Sequence, residues 1–250
     1  MRDAAKAPAV APLGRMLLMQ TWSQFLALWR VPAFSVTNLA LPVVFFTFFG
    51  LRSARLTDAG GFSVGAYLLV SFGAYSVGQV MVYSFGIGVA GQRALKIDLL
   101  ARVLNALLFA LVALVVLITY GVVVGGVRED LGVWATVIVR LLAGSLPFIA
   151  LGFAIGYSAG ANAAPALANL IYLPLSFASG LFIPFSQLPS FVQQVAPYLP
   201  TYHYGQLAWS AVGARSEPMA TSLAWLAAYT ALFLALAVRA YRREEQQKFG

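Results

Sequence analysis

Few residues of this chain can do chemistry. His203 is the single histidine, cysteine is absent, and only eight Asp and Glu are spread over 250 residues. Without cysteine, disulfides, thiol catalysis and thiolate metal sites are excluded together, and one histidine cannot build an imidazole metal cluster. His203 and a serine have the residue types of an acyl-transfer pair, which needs nucleophile and base at one depth. Serines in apolar helices more commonly bond to backbone or to a neighbouring helix, and His203 reads as a residue that fixes its own segment rather than as a base. No G-x-x-x-x-G-K-[ST] phosphate loop occurs, so any ATP chemistry belongs to another chain. No catalytic, cofactor-binding or metal-ligating residue is assigned, and the chain is not expected to be an enzyme.

The elements that carry these residues are apolar. Hydrophobic residues make up 61% of the chain and charged ones 10%, with a mean hydropathy of +0.83; a soluble domain carries roughly 25% charged residues. Segments 31–51, 59–92, 103–127, 141–214 and 218–238 contain no Asp, Glu, Lys or Arg. Each has room for a span of about 20 residues, and 141–214 holds two spans with material to spare. The chain is therefore read as an all-α polytopic membrane protein forming a single domain, 1–250. The net charge of +8 sits in short groups between apolar runs, which argues for a topological use and against nucleic acid. No charge falls in the middle of a span, which disfavours ion-coupled transport.

Six spans are predicted near 32–51, 62–88, 101–124, 134–160, 165–183 and 220–240. The stretch "ANAAP" leaves only a tight hairpin between the fourth and fifth, and Arg140 lies early enough in the fourth to snorkel outward. Before them, "GRMLLMQTWSQFLALWR" places Leu18, Trp22, Phe25, Leu26 and Trp29 on one flank. Bracketed by Arg15 and Arg30, with Trp22 and Trp29 at headgroup level, 14–30 reads as a helix lying at the cytoplasmic interface. The Ala/Pro-rich start shows no evident secretory peptide. An even span count puts both termini on one side. Of the 16 Lys and Arg, Arg52, Arg55, Arg128, Arg140 and Arg215 then fall on one face and the rest on the other, which makes the termini cytoplasmic. Gly61 and Gly65, Gly121 and Gly125, and Gly152, Gly156 and Gly160 repeat at four-residue intervals, a pattern for close helix packing chiefly within one subunit.

The run "LPLSFASGLFIPFSQLP" (173–189) is uncharged yet holds three prolines. Pro174 is tolerable inside a span, whereas Gly180, Pro184 and Pro189 make a straight continuation unfavourable. The expectation is that the fifth span ends near 183 and that 184–203, with Pro200 and His203, forms short re-entrant or interfacial helices on the outer side.

These residues carry a family resemblance. "LANLIYLPLSFASGLFIPFSQLPSFVQQVAPYLPTYHYGQLAWSAV" resembles the carboxy-terminal half of type-2 permeases of bacterial ABC exporters of drugs, lipids and polysaccharides. The match runs through Leu173, Pro174, Leu175, Phe177, Ser179 and Gly180, then Ile183-Pro184 and Leu188-Pro189, then Leu199, Pro200, Tyr202 and His203. The resemblance covers nearly the whole chain and implies an ATP-driven exporter subunit in the bacterial plasma (inner) membrane. It implies two permease subunits, as a homo- or heterodimer, surrounded by lipid, with ATP and Mg handled by separate ABC ATPase subunits. The loop 91–98 resembles the segment that contacts the ATPase, pointing to Gln92, Arg93, Lys96 and Asp98; it departs from many relatives in lacking a basic stretch with "Thr-Pro-Leu-Pro" before the third span. Tyr75, Tyr83, Asn105 and Phe177 are candidate pathway residues, consistent with an amphipathic drug-like or lipid-like substrate, though these residue types are equally those of ordinary membrane core. Export of a polysaccharide or lipid-linked glycan by the same architecture, and a non-transporting scaffold, are the alternatives.

Overall fold

The computed structural model describes residues 13–30, 32–57, 61–89, 96–159, 162–214 and 217–249. They form α1 (Leu13–Trp29), α2 (Pro32–Phe45), α3 (Val64–Val89), α4 (Lys96–Val123), α5 (Leu131–Ala143), α6 (Leu146–Ser158), α7 (Ala164–Ala178), α8 (Ser190–Val195), α9 (Pro200–Trp209) and α10 (Met219–Phe249). Among the described residues there is no strand, only an isolated bridge between Thr57 and Ser63. Among the described residues, four segments are long and apolar enough to cross a membrane: Val64–Gly86, Leu99–Val123, Leu131–Ser158 and Met219–Arg243. Two further apolar segments, Asn38–Ser53 and Ala164–Ala178, are shorter.

The expected first span is helical but not uniform. Pro42 has no N–H, so the Asn38 carbonyl one turn earlier loses its helical donor. Ser76 Oγ of α3 donates to that carbonyl at 3.5 Å. Past Pro42 the helix widens into a π-helical stretch, Phe46–Gly50, and closes as a 3-10 turn, Leu51–Ser53. Thr47 Oγ1 bonds the Val43 carbonyl and the Tyr120 hydroxyl of α4, each at 2.7 Å. The widened turn is thereby tied to its neighbour.

The fourth span is broken rather than continuous over 134–160. Pro147 sits in the first turn of α6, where a proline is tolerated, whereas in a continuous helix it would stand opposite the Ala143 carbonyl. Gly144 and Ser145 make the break, with Ser145 Oγ donating to the Leu142 carbonyl at 2.7 Å. The predicted loop 91–98 is also revised: Lys96 and Asp98 belong to the first turn of α4. No proline interrupts the run from Lys96 to Val123.

α3 is the axis of the bundle and touches α2, α4, α5, α6, α7 and α9. Glycine sets two of these approaches. A Cβ at Gly152 of α6 would lie 2.8 Å from the Val82 carbonyl oxygen and from Phe85 Cβ, and one at Gly156 would lie 2.8 Å from the Gly86 carbonyl oxygen. The backbones of α3 and α6 therefore meet directly. On α3 itself, a Cβ at Gly78 would lie 2.0 Å from the Tyr172 hydroxyl of α7. The glycine intervals Gly65, Gly121, Gly125, Gly152 and Gly156 all face neighbours in this chain; Gly160 lies outside the described residues.

Candidate functional site

Between α7 and α10, residues 179–214 form only short helical elements, α8 and α9 among them. α7 runs through Pro174 and stops at Gly180, which adopts φ +83°. The Gly180 N–H donates to the Phe177 carbonyl at 3.3 Å and the Leu181 N–H to the Ser176 carbonyl at 3.2 Å. That paired return is a Schellman ending, and glycine is favoured there because a Cβ resists this φ. The prolines that follow start elements instead of breaking them. Pro184 precedes the 3-10 turn Phe185–Gln187, Pro189 caps α8, and Pro200 opens α9. A fixed φ near the helical value and a missing N–H suit proline to those positions.

α9 departs most from the expectation. The predicted outer segment ended at about residue 203, whereas His203 lies inside a 10-residue helix whose every residue is buried. Such burial of a helix rich in polar side chains requires partners. Thr201 Oγ1 donates to the Leu175 carbonyl at 2.9 Å and meets Ser179 Oγ at the end of α7. The Tyr204 hydroxyl donates to the Leu141 carbonyl of α5 at 2.7 Å. Trp209 Nε1 donates to Ser71 Oγ of α3 at 2.7 Å, and its ring stacks on Tyr67 at 5.2 Å. Tyr67 in turn reaches the Gly180 carbonyl at 3.2 Å. One short helix is thus tied to α3, α5 and α7.

α9 also fills the break between α5 and α6. A Cβ on Gly144 would lie 2.5 Å from Leu207 Cδ1 and 3.3 Å from Tyr204 Cδ2, so the notch is shaped to those two side chains. Arg140, expected to snorkel, instead donates from Nη1 to Ser210 Oγ at 2.7 Å, just past α9. At the opposite flank His203 Nδ1 lies 2.7 Å from Glu217 Oε1 and Nε2 lies 2.8 Å from the Pro197 carbonyl oxygen. Its ring stacks on Trp225 of α10 at 5.2 Å with planes 9° apart.

The four candidate pathway residues do not converge on one surface. Tyr75 is buried between α3 and α7, stacked on Tyr172 at 5.6 Å. Phe182, at the end of the aromatic stretch 172–182, meets Tyr75 at 4.7 Å and stacks on Phe177 at 4.2 Å. Phe177 is 43% exposed, so Tyr75, Phe182 and Phe177 form an aromatic series from the core to the surface. Tyr83 is half-buried two turns further along α3. Asn105 of α4 is buried and its Oδ1 has no hydrogen-bond partner; Gln79 Oε1 of α3 is in the same condition.

At the other end of the chain, Arg15, Trp22 and Trp29 of α1, and Arg30 just past it, are exposed. The predicted apolar flank divides: Phe25 and Trp29 pack against Phe109 of α4 at 6.1 and 6.4 Å, while Leu18 and Trp22 face outward. Gln92 and Arg93 lie outside the described residues, and for Lys96 and Asp98 only the backbone is described. The far end of α10 carries a groove of about 490 Å³ that includes Leu234, Val238, Arg239, Arg242 and Arg243.

Apolar helices around a glycine-packed axis, four segments of them long enough to cross a membrane among the described residues, define a multi-pass membrane protein. Residues 93–239 match the family described as ABC-2 family transporter protein. The match takes in more than half of the chain, and the chain belongs to that family. The protein named "Putative transport permease YvfS" from Bacillus subtilis (strain 168) is 29% identical over 149 residues, covering 60% of this chain and 60% of that protein. The match thus spans less than two thirds of that relative's length.

Proposed function

We propose that this chain is the permease subunit of an ATP-driven exporter that moves an amphipathic, drug-like or lipid-like substrate outward. The observation that carries the reading is α9: inside a chain of the transporter family, a wholly buried helix is held in a notch of a broken span by side-chain contacts to several different helices. A static membrane anchor has no need of a separate helix plugged into a notch. A permease needs a barrier that is closed in one state and open in another.

In this reading all six apolar segments cross the bilayer, including Asn38–Ser53 and Ala164–Ala178, and both termini are cytoplasmic in the bacterial plasma membrane. α1 lies along the cytoplasmic surface, and 184–209 forms the outer closure. Two permease subunits pair, and separate ABC ATPase subunits bind ATP and Mg and dock against the 91–98 region and α1. Association of the ATPase subunits on ATP moves α4 through its first turn, and the motion passes to α3 and from α3 to α9 through Ser71 and Trp209. The aromatic series Tyr75, Phe182 and Phe177 supplies flat apolar contacts suited to an amphiphile.

The test is copurification with a candidate ABC ATPase subunit from the same organism, followed by vesicle transport of labelled amphiphiles with and without ATP. ATP-dependent accumulation is the expected result; a complex that hydrolyses ATP and moves no amphiphile of any class removes the substrate assignment. Charge reversal at Arg93 and Lys96 is expected to weaken permease-stimulated ATP hydrolysis while leaving assembly intact.

A further inference from the structure

His203 and Glu217 stand out in the sequence as well as in the fold. One is the only histidine, and the other is the only acidic residue between 131 and 243. The structure places them 2.7 Å apart, with the His203 side chain 1% exposed and that of Glu217 16%. Ser222 Oγ donates to the same carboxylate oxygen from the first turn of α10. Three elements meet here: Pro197 precedes α9, His203 lies on α9, and Glu217 leads into α10.

Proton positions follow from the partners. A carbonyl oxygen only accepts, so Nε2 must carry a hydrogen to bond Pro197. A second proton must lie between Nδ1 and Glu217 Oε1, on one atom or the other. Around the ring, the other titratable groups among the described residues are Tyr202 on α9, Tyr198 before it, and Tyr229 on α10. Arg140 faces Ser210 at the other end of α9, and Arg215 lies outside the described residues.

We propose that His203 and Glu217 are a positioning pair whose hydrogen bond clasps α9 to the start of α10 and holds α9 in its notch. The role assigned to α9 as a closure rests on the permease reading; the clasp itself does not require transport to be measured. The other ties of α9 run elsewhere: Thr201 to α7, Tyr204 to α5, Trp209 to α3, and Arg140 of α5 to Ser210 just past α9.

The absence of cysteine makes a direct test available. A single cysteine at Ala208, which is fully buried on α9, is labelled with a membrane-impermeant maleimide in the full chain in lipid nanodiscs. Rates are normalised to a single cysteine at the exposed Phe191. Glu217→Ala is expected to raise Ala208-site labelling roughly tenfold to a hundredfold, the range of a charge-assisted hydrogen bond. Glu217→Gln is expected to stay slow, because a carboxamide can either donate to Nδ1 or accept from it. Equal labelling in the Ala and Gln variants overturns the proposal. Absence of ATP-dependent transport alongside the expected labelling pattern would leave the clasp in place and remove the permease reading instead.

Discussion

α3 and α10 are both spans by length and composition, yet they occupy opposite environments. The apolar window of α3 has a mean hydropathy of 1.4 and is 89% buried within the chain; that of α10 has 1.8 and is 17% buried. The less apolar helix is the central one. Inside a membrane, lipid is as apolar as leucine, so hydropathy measures fitness to face lipid and not centrality. α3 can carry Ser71, Ser76 and Gln79 because protein surrounds them, and its glycines admit neighbours that a larger residue would repel. α10 packs one face on α6 and shows Leu223, Leu232, Leu234 and Leu236 outward.

The contrast breaks most visibly at the α3–α6 contact. Gly152→Val would drive a side chain into the Val82 carbonyl and Phe85, which are backbone or near-backbone atoms that cannot step aside. A loss of about 3 kcal/mol or more is expected, at the upper end of overpacking costs, seen as aggregation in size-exclusion chromatography in detergent. Retention of a monodisperse peak with unchanged melting would mean that α3 and α6 do not meet as described.

A smaller effect is expected where α9 is tied to the axis. Trp209→Phe keeps most of the ring but removes the Nε1 donor to Ser71, at a cost of about 1–2 kcal/mol for a buried polar group left with one partner fewer. Thermal melting in nanodiscs measures it, and Ser71→Ala in the same background should add little, since the two residues share one bond. Tyr172→Phe comes next. Its hydroxyl donates to the Tyr75 carbonyl at 3.0 Å, and its loss is expected to cost about 1 kcal/mol. The smallest change is expected on α10, where Leu232→Ala at a half-exposed position should alter melting by no more than about 0.5 kcal/mol. A larger drop there would show that this face is covered by protein in the assembled state and would erase the contrast with α3.

Much of this arrangement is legible in the residues. The uncharged runs marked the apolar segments, and the order of Gly180, Pro184, Pro189 and Pro200 marked the stop of one helix and the starts of three shorter ones. The break in the fourth span was also written there, as Gly144-Ser145 followed by Pro147, but it lay within an unbroken apolar run. Hydropathy averages over such a signal. The pairing of His203 with Glu217 was available as two unique ionisable residues near each other in the chain. Their contact depends on the path of 204–216, which periodicity does not define. Asn105, Tyr75 and Phe177 were chosen for residue type, and type does not say which side of a helix meets the core.

By itself the sequence determined that the protein is helical and belongs in a membrane, because burying an uncharged run of this length in lipid requires every backbone group to be satisfied within its own helix. It determined where helices start and stop, because proline and glycine act through local geometry. Only the tertiary structure decided which helix is the axis, that α9 fills the notch beside Gly144, and that His203 meets Glu217. Those outcomes depend on close contacts between residues far apart in the chain, and in lipid such contacts follow from shape and hydrogen-bond complementarity, which apolar composition does not encode.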